Sequence, residues 1–272
     1  LNECDILEHK IFDDAVVYGG WYIDIHTANG LFDFHLLPSD CYDFSGVYTI
    51  PYRSYYSKNI DNLMMAGRNI STSKLGLAST RIIGCCANGG QMVGIAAAMC
   101  AQRGLTPRGL APFVPELRQR VLKDDGWLPG FTNNDPDDKA RRAVFSASSY
   151  VAGGEPQNVA NGVNRRIDDD SNAWVTDKIA PEGEALTMKF DAPETISELR
   201  LTFDSNFSYP IRVTMSYNRQ VQQRVGVSPE LVKDYTATLL RDGKEVRKIE
   251  VKDNYQRQNV LKFEPTECDT VK

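Results

Sequence analysis

The chain has 272 residues and carries 31 Lys+Arg against 36 Asp+Glu, a formal net charge of −5. With 42% apolar and 25% charged residues it has the make-up of a chain that buries real cores. Intrinsic disorder, a collagen-like repeat and a disulfide-stapled miniprotein are excluded. The acidic balance gives no support to a phosphate-gripping face, so nucleic acid is not an expected partner.

At this length two domains are expected. The chain opens at Leu1 without a methionine and stops in Asp269-Thr270-Val271-Lys272, which reads as the start of a strand. The expectation is a piece of a longer protein, so any leader lies outside it and the compartment stays open, periplasmic or extracellular being favoured.

In chain order, Asp24 and His26 stand two apart, a spacing that in a strand puts both side chains on one face. Ile50-Pro51-Tyr52 reads as the entry of an edge strand, and Asn62-Leu63-Met64-Met65-Ala66-Gly67-Arg68 as a brief buried strand ending in a glycine turn. Ser79-Thr80-Arg81 then opens a small-residue helix ending near Cys100. Its start exposes unpaired N–H groups and partial positive charge, suited to an anion or an electron-rich ring edge. Ile82 to Gln102 holds no charge over 21 residues, long enough in principle for a bilayer. Four glycines with Asn88 and Gln91 favour a buried helix packed through small residues instead, and no membrane span is expected.

The six cysteines, Cys4, Cys41, Cys85, Cys86, Cys100 and Cys268, form no C-x-x-C pair. Zinc and a redox-active disulfide are not expected, and the cysteines read as small hydrophobes. Pro115 followed by Glu116 to Leu122 predicts a short amphipathic helix. The turn-rich stretch from Leu128 to Asp138 is the predicted joint. It separates a first domain, 1–131, from a second, 140–272.

After the joint, short strands dominate: Ala185 to Phe190, Ile196 to Phe203, and a hairpin of Tyr235 to Leu240 and Val246 to Val251 about Asp242-Gly243, a pair suited to a type I′ turn. This pattern predicts a β-sandwich. The fold class expected for the whole is therefore α/β followed by all-β.

At this point the residues resemble a known family. Ile50-Pro51-Tyr52-Arg53-Ser54, Asn62 to Arg68, Gly76-Leu77-Ala78-Ser79-Thr80-Arg81 and Gly90-Gln91-Met92-Val93-Gly94-Ile95-Ala96-Ala97-Ala98, with Tyr18 to Trp21, Asp24-Ile25-His26 and Leu117 to Pro129, look like the C-terminal part of bacterial FAD-dependent oxidoreductases. These belong to the glutathione-reductase-like flavoprotein superfamily, and some members carry a xanthan lyase label. The resemblance covers about residues 10–131. It implies a two-part flavin domain, in which an N-terminal βαβ unit with G-x-G-x-x-G holds the adenosine and pyrophosphate. The Ala-Gly-Arg turn and the following helix close over the ribityl chain and ring. No G-x-G-x-x-G stands in this chain. It is therefore expected to need a missing N-terminal FAD-binding segment as partner, and by itself to bind FAD weakly or not at all.

The roles implied are these. Arg81 and the backbone N–H groups after it stabilise charge at the flavin N1–C2=O edge. Gly67 and Arg68, with Ala66, serve the ribityl or phosphate side, and Ser79, Thr80, Gly90 and Gln91 complete the cofactor contacts. A structural salt bridge with a carboxylate is the competing role for Arg81. His26, oriented by Asp24, is the acid–base candidate for hydride chemistry, the competing role being a hydrogen-bonded loop histidine. Tyr52 and Arg53 are candidates for lining a substrate pocket, or for packing. The expected function is hydride transfer between FAD and an unidentified, carbohydrate-derived or other small substrate.

In the second half, Ser146 to Ser149, Asn158 to Gly162, Asp168 to Trp174 and the two strands that follow resemble discoidin-type, galactose-binding-like sandwiches. That implies Trp174 packed in the core beneath an acidic turn. Asp168, Asp169 and Asp170 offer oxygens to a calcium ion or simply a solvated turn. If closing strands are missing, an edge is left exposed. The alternative function is a non-catalytic protein that binds glycans through this sandwich.

Overall fold

Strand-forming residues in the first hundred positions come as short pairs, and each pair closes on itself. The computed structural model describes residues 1–206 and 214–272 and divides into two units, Leu1–Asp135 and Pro136–Lys272.

In the first unit, helix α1 (Glu3–Leu7) is opened by a reciprocal cap: the Asn2 side chain accepts from the Asp5 N–H, and the Asp5 carboxylate accepts from the Asn2 N–H. Strand β1 (Ala15–Gly19) pairs antiparallel with β4 (Tyr48–Pro51), and β2 (Ile23–His26) with β3 (Ser39–Tyr42). Helices α2 (Lys74–Thr80), α3 (Ile83–Arg103) and α4 (Val114–Lys123) follow, the last with Pro115 in its first turn. One core joins Ile6, Val16, Tyr48, Ile50 and Tyr55 to Met92, Ala96 and Met99 of α3 and Leu117 of α4.

Two expectations are corrected. Residues 62–68 form no strand, because the neighbouring chain turns as a 3-10 helix at Tyr52–Ser54 and is left with only a short edge beyond it. Met64 makes a single bridge to Tyr56, and the Met65 N–H donates to the Tyr55 carbonyl. Ser79 and Thr80 do not open the long helix: they end α2, Arg81 is its C-cap, and Ile82 is extended (φ −69°, ψ 151°) before α3 begins.

Helix α3 is long and apolar enough to cross a membrane by length and composition, with a mean hydropathy of 1.3. One face, through Cys85, Gly89, Met92, Ala96 and Met99, packs on the core. The opposite face, including Gly84, Ala87, Gln91, Gly94 and Ala98, is exposed, so the helix is half covered where full burial was expected.

All six cysteines are free: Cys4 and Cys41 exposed, Cys85, Cys100 and Cys268 buried, Cys86 between. Burial pushes the Cys85 thiol up to about 12. A brief alkylation of the native chain near neutral pH, read by peptide mass, is expected to modify Cys4 and Cys41 and to spare Cys85, Cys100 and Cys268 until the chain is unfolded. Rapid native labelling of Cys85 would show that the inner face of α3 is open.

The second unit is all-β, built from β5 (Val144–Ala147), β6 (Leu186–Thr202), β7 (Tyr235–Arg241), β8 (Lys244–Val251) and β9 (Gln258–Val271) in one five-stranded sheet, with a short helix α5 (Tyr217–Gln220) between β6 and β7. The strands lie in the order β5-β6-β9-β7-β8, all pairs antiparallel. The two runs predicted at 185–190 and 196–203 fuse into β6, whose register against β9 slips between Lys189 and Glu194. Pro193 falls in that irregular stretch, where its missing N–H breaks no ladder bond. Asp242 (φ 51°) and Gly243 (φ 75°) make the predicted tight turn. Residues 269–272 end a strand rather than start one: β9 runs between β6 and β7, and Lys272 exchanges backbone bonds with Thr238. Edge strand β8 exposes Lys244, Glu245, Lys248 and Glu250, charges that oppose strand addition.

Trp174 is half-buried and donates from Nε1 to the Ser149 carbonyl at 2.8 Å, outside the buried cluster of Phe145, Phe190, Ile196, Leu239 and Val271, so its predicted core role is corrected. Asp168 sits at φ 50° in a tight turn bridged from Ile167 to Asp170. Among the described residues no three His, Cys, Asp or Glu side chains gather as a metal site.

Candidate functional site

An open cleft of about 540 Å³ in the first unit is lined by Ala66, Gly67, Arg68, Asn69, Leu77 and Arg81. Four of the six were predicted from sequence. Gly67 has φ +145°, a region closed to other residues, and it turns the chain so that Arg68 follows into the cleft. Arg68 is exposed and has no hydrogen bond or ion pair among the described residues. Its positive charge acts on the half-buried Cys86 thiol in the first turn of α3: burial pushes that thiol up, and Arg68 pulls it back.

Arg81 is anchored. Its Nη2 donates to Asp24 Oδ2 at 3.0 Å and to the Asp24 carbonyl at 3.3 Å. This is the salt bridge weighed as its competing role, and the residue lines the cleft all the same. His26 Nε2 lies 3.5 Å from the same Oδ2, on an exposed side chain. The same-face placement of Asp24 and His26 expected from their spacing is present. His26 is not among the cleft-lining residues, and Asp24 joins it to Arg81. The N-cap of α3, Ile82, supplies no side-chain cap, and Ile83 and Gly84 are exposed, so the first N–H groups of the helix are left without a capping side chain. Two guanidiniums and an uncapped helix start, offset by one carboxylate, make a surface that favours an anion or an electron-rich ring edge.

Other predicted residues are not gathered here. Ser79 is fully buried: its hydroxyl donates to the Trp21 carbonyl at 2.5 Å and accepts from Tyr48 Oη at 2.6 Å, which leaves nothing for a ligand. Thr80, also buried, donates to the Gly76 carbonyl inside α2. Gln91 donates to the Asp124 carbonyl at 2.9 Å, a packing role. Gly90 lies about two turns into α3 and is not among the cleft-lining residues. Tyr52 is corrected outright, being fully buried with its hydroxyl on the Pro107 carbonyl at 2.8 Å. Arg53 is ion-paired to Asp14 and lies 5.0 Å over the Phe12 ring. Asn69 and Leu77 were missed, although each adjoins a residue that carried the signal.

Residues 1–121 match the family described as FAD dependent oxidoreductase. The first unit is thus similar to part of an FAD-dependent oxidoreductase, and the all-β unit follows it. No curated protein matches the chain. Solved structures similar to it include a Streptococcus pneumoniae fucose binding module (13% identity over 47% of this chain and 76% of that one, TM-score 0.33). Another is the family 32 CBM from C. perfringens NanJ in complex with galactose (12%, 48% and 80%, TM-score 0.31). A third is chitosan-binding module 2 of a chitosanase/glucanase from Paenibacillus sp. IK-5 (12%, 48% and 80%, TM-score 0.32). Likeness at this level does not extend to ligand residues.

Proposed function

We propose that the first unit is the ring-side part of a flavin-dependent oxidoreductase. The observation that carries this reading is the unpaired Arg68 sharing a cleft with Arg81 beside the uncapped start of α3. The residues present fit the electron-rich edge of an isoalloxazine, which when bound exchanges a hydride with substrate. Arg81, held by Asp24, and the N–H groups of Ile83 and Gly84 would hold the electron-rich ring edge and offset negative charge there, being in place before reaction and so at no reorganisation cost. Arg68 and the Gly67 turn take the ribityl or phosphate side. His26 Nε2, on the other side of Asp24, accepts the substrate proton. The adenosine half is gripped by a segment with a dinucleotide-binding turn, which this chain does not contain.

The chain purified with excess FAD is expected to lose its visible absorbance on desalting. At high FMN, amide resonances of residues 66–69 and 82–86 are expected to shift weakly, and Arg68→Ala and Arg81→Ala to suppress those shifts. Stoichiometric flavin surviving desalting would overturn the half-cradle reading; shifts confined to other residues would overturn the site.

A second reading, glycan binding by the β-sandwich, has one observation in its favour. Exposed Tyr150 is carried by a segment fixed to Trp174-Val175 through two hydrogen bonds, an aromatic face open to a sugar ring. Binding to a glycan array that Tyr150→Ala abolishes would support it; no binding would remove it.

A further inference from the structure

The β2–β3 hairpin is joined to the cleft through the Asp24–Arg81 ion pair. Its inner face, with Ile23 and Ile25, packs on the core. Its outer face is polar: Asp24 and Cys41 stand directly opposite each other, as do His26 and Ser39. The Cys41 thiol donates to Asp24 Oδ1 at 3.8 Å while Oδ2 takes Arg81. By alternation the residues flanking the ladder, Tyr22 and Asp43, continue this face. The Tyr22 phenol supports that placement: burial raises its pKa first, then Cys41, Asp24 and Asp43 raise it further while Arg81 pulls it down.

Next to these groups lies an aromatic surface. The Trp21 and Tyr22 rings are stacked at 4.5 Å and 28°, and Trp21 is 40% exposed. The Trp21 backbone is pinned through its carbonyl by the buried Ser79–Tyr48 pair, so the indole is carried on a fixed backbone. Asp43 is exposed and has no ion pair among the described residues.

We infer that the Trp21–Tyr22 stack and the Asp24–Asp43 face form a binding surface for a neutral pyranose, a conclusion that rests on reading the first unit as oxidoreductase. A sugar ring has one face of C–H groups, which matches an exposed indole, and a rim of hydroxyl donors, which matches the carboxylate of Asp43. Charge decides between sugar classes. Asp24 is engaged by Arg81, so Asp43 is the carboxylate on this face without an ion pair among the described residues, and its charge repels an uronate or sugar phosphate.

The test is a titration of the intact chain with cellobiose, and separately with glucuronate, followed by amide and indole resonances. Cellobiose is expected to shift the Trp21 indole and the amides of residues 39–43 at millimolar concentrations. Trp21→Ala is expected to weaken binding about tenfold, and Asp43→Asn, an exposed change that spares the fold, to weaken it by a smaller factor. No shift with cellobiose, shifts confined to 136–272, or unchanged affinity in both variants overturns the surface. Glucuronate binding as tightly as cellobiose overturns the neutral-ligand assignment. FMN shifts at 66–69 and 82–86 are read independently, so failure of the flavin reading and failure of this one are distinguishable.

Discussion

Arg118→Ala is expected to destabilise the first unit by about 3 kcal/mol: the buried Ala15 carbonyl is left unpaired at about 1–3 kcal/mol, and the part-buried Asp13 carbonyl loses its bond to a charged donor. Arg118 is only 8% exposed. From α4 it reaches the entry of β1, where Nε donates to the Ala15 carbonyl at 3.0 Å and Nη2 to the Asp13 carbonyl at 2.6 Å. Its guanidinium also lies 3.7 Å over the Phe131 ring. Burial pulls its pKa down, and Asp14 and Asp13 push it back up. Lysine has one compact ammonium and cannot span both carbonyls in the plane of a fork, so Arg118→Lys is expected to recover less than half of the loss. Urea unfolding in a Trp174→Phe background, followed by the fluorescence of Trp21 and Trp127, measures both. A loss below about 1 kcal/mol for Arg118→Ala would mean that water reaches the two carbonyls and replaces the arginine.

Arg118 also shows what the sequence conceals. The helix it stands on was predicted from Pro115 and the spacing of Leu117, Val121 and Leu122, because helix signals are local. The partners of Arg118 lie 103 and 105 residues upstream, and nothing local marks it as different from Arg120. The 235–251 hairpin was legible for the local reason, its turn needing two positive φ angles that Asp242 and Gly243 supply. In the cleft, Gly67 and Arg68 were legible because a glycine turn before a cation is a local feature. Ser79 and Thr80 misled because hydroxyl residues ahead of an apolar run look like a helix cap. Tyr48, 31 residues earlier, claims the Ser79 hydroxyl instead, and the break falls at Ile82, which has no capping oxygen. Tyr52 misled in the same way, its hydroxyl being taken by a carbonyl 55 residues further on.

Gly89→Val is expected to cost the first unit about 3 kcal/mol or more, while Gly94→Ala on the same helix stabilises it by about 0.5–1 kcal/mol. Both glycines are interior to α3 and differ only in what faces them. A Cβ on Gly89 would stand 2.9 Å from Tyr55 Cε1 and 3.2 Å from its hydroxyl, and that ring is 2% exposed with no room to swing. Valine adds two further methyl groups into the same contact, so α3 must lift off a core shared with Tyr48, Met92 and Met99. A Cβ on Gly94 meets nothing within 4 Å, which leaves only the backbone entropy that alanine removes from the unfolded chain. The sign change between the two sites tests the orientation of α3, and with it the exposure of the helix start that follows Arg81. If both substitutions stabilise, Gly89 does not meet Tyr55 and the helix is rotated. If both destabilise by similar amounts, the outer face is covered in solution by something that packs as closely as Tyr55 does. Thermal unfolding of the two variants beside the parent chain, in the same Trp174→Phe background, separates these outcomes.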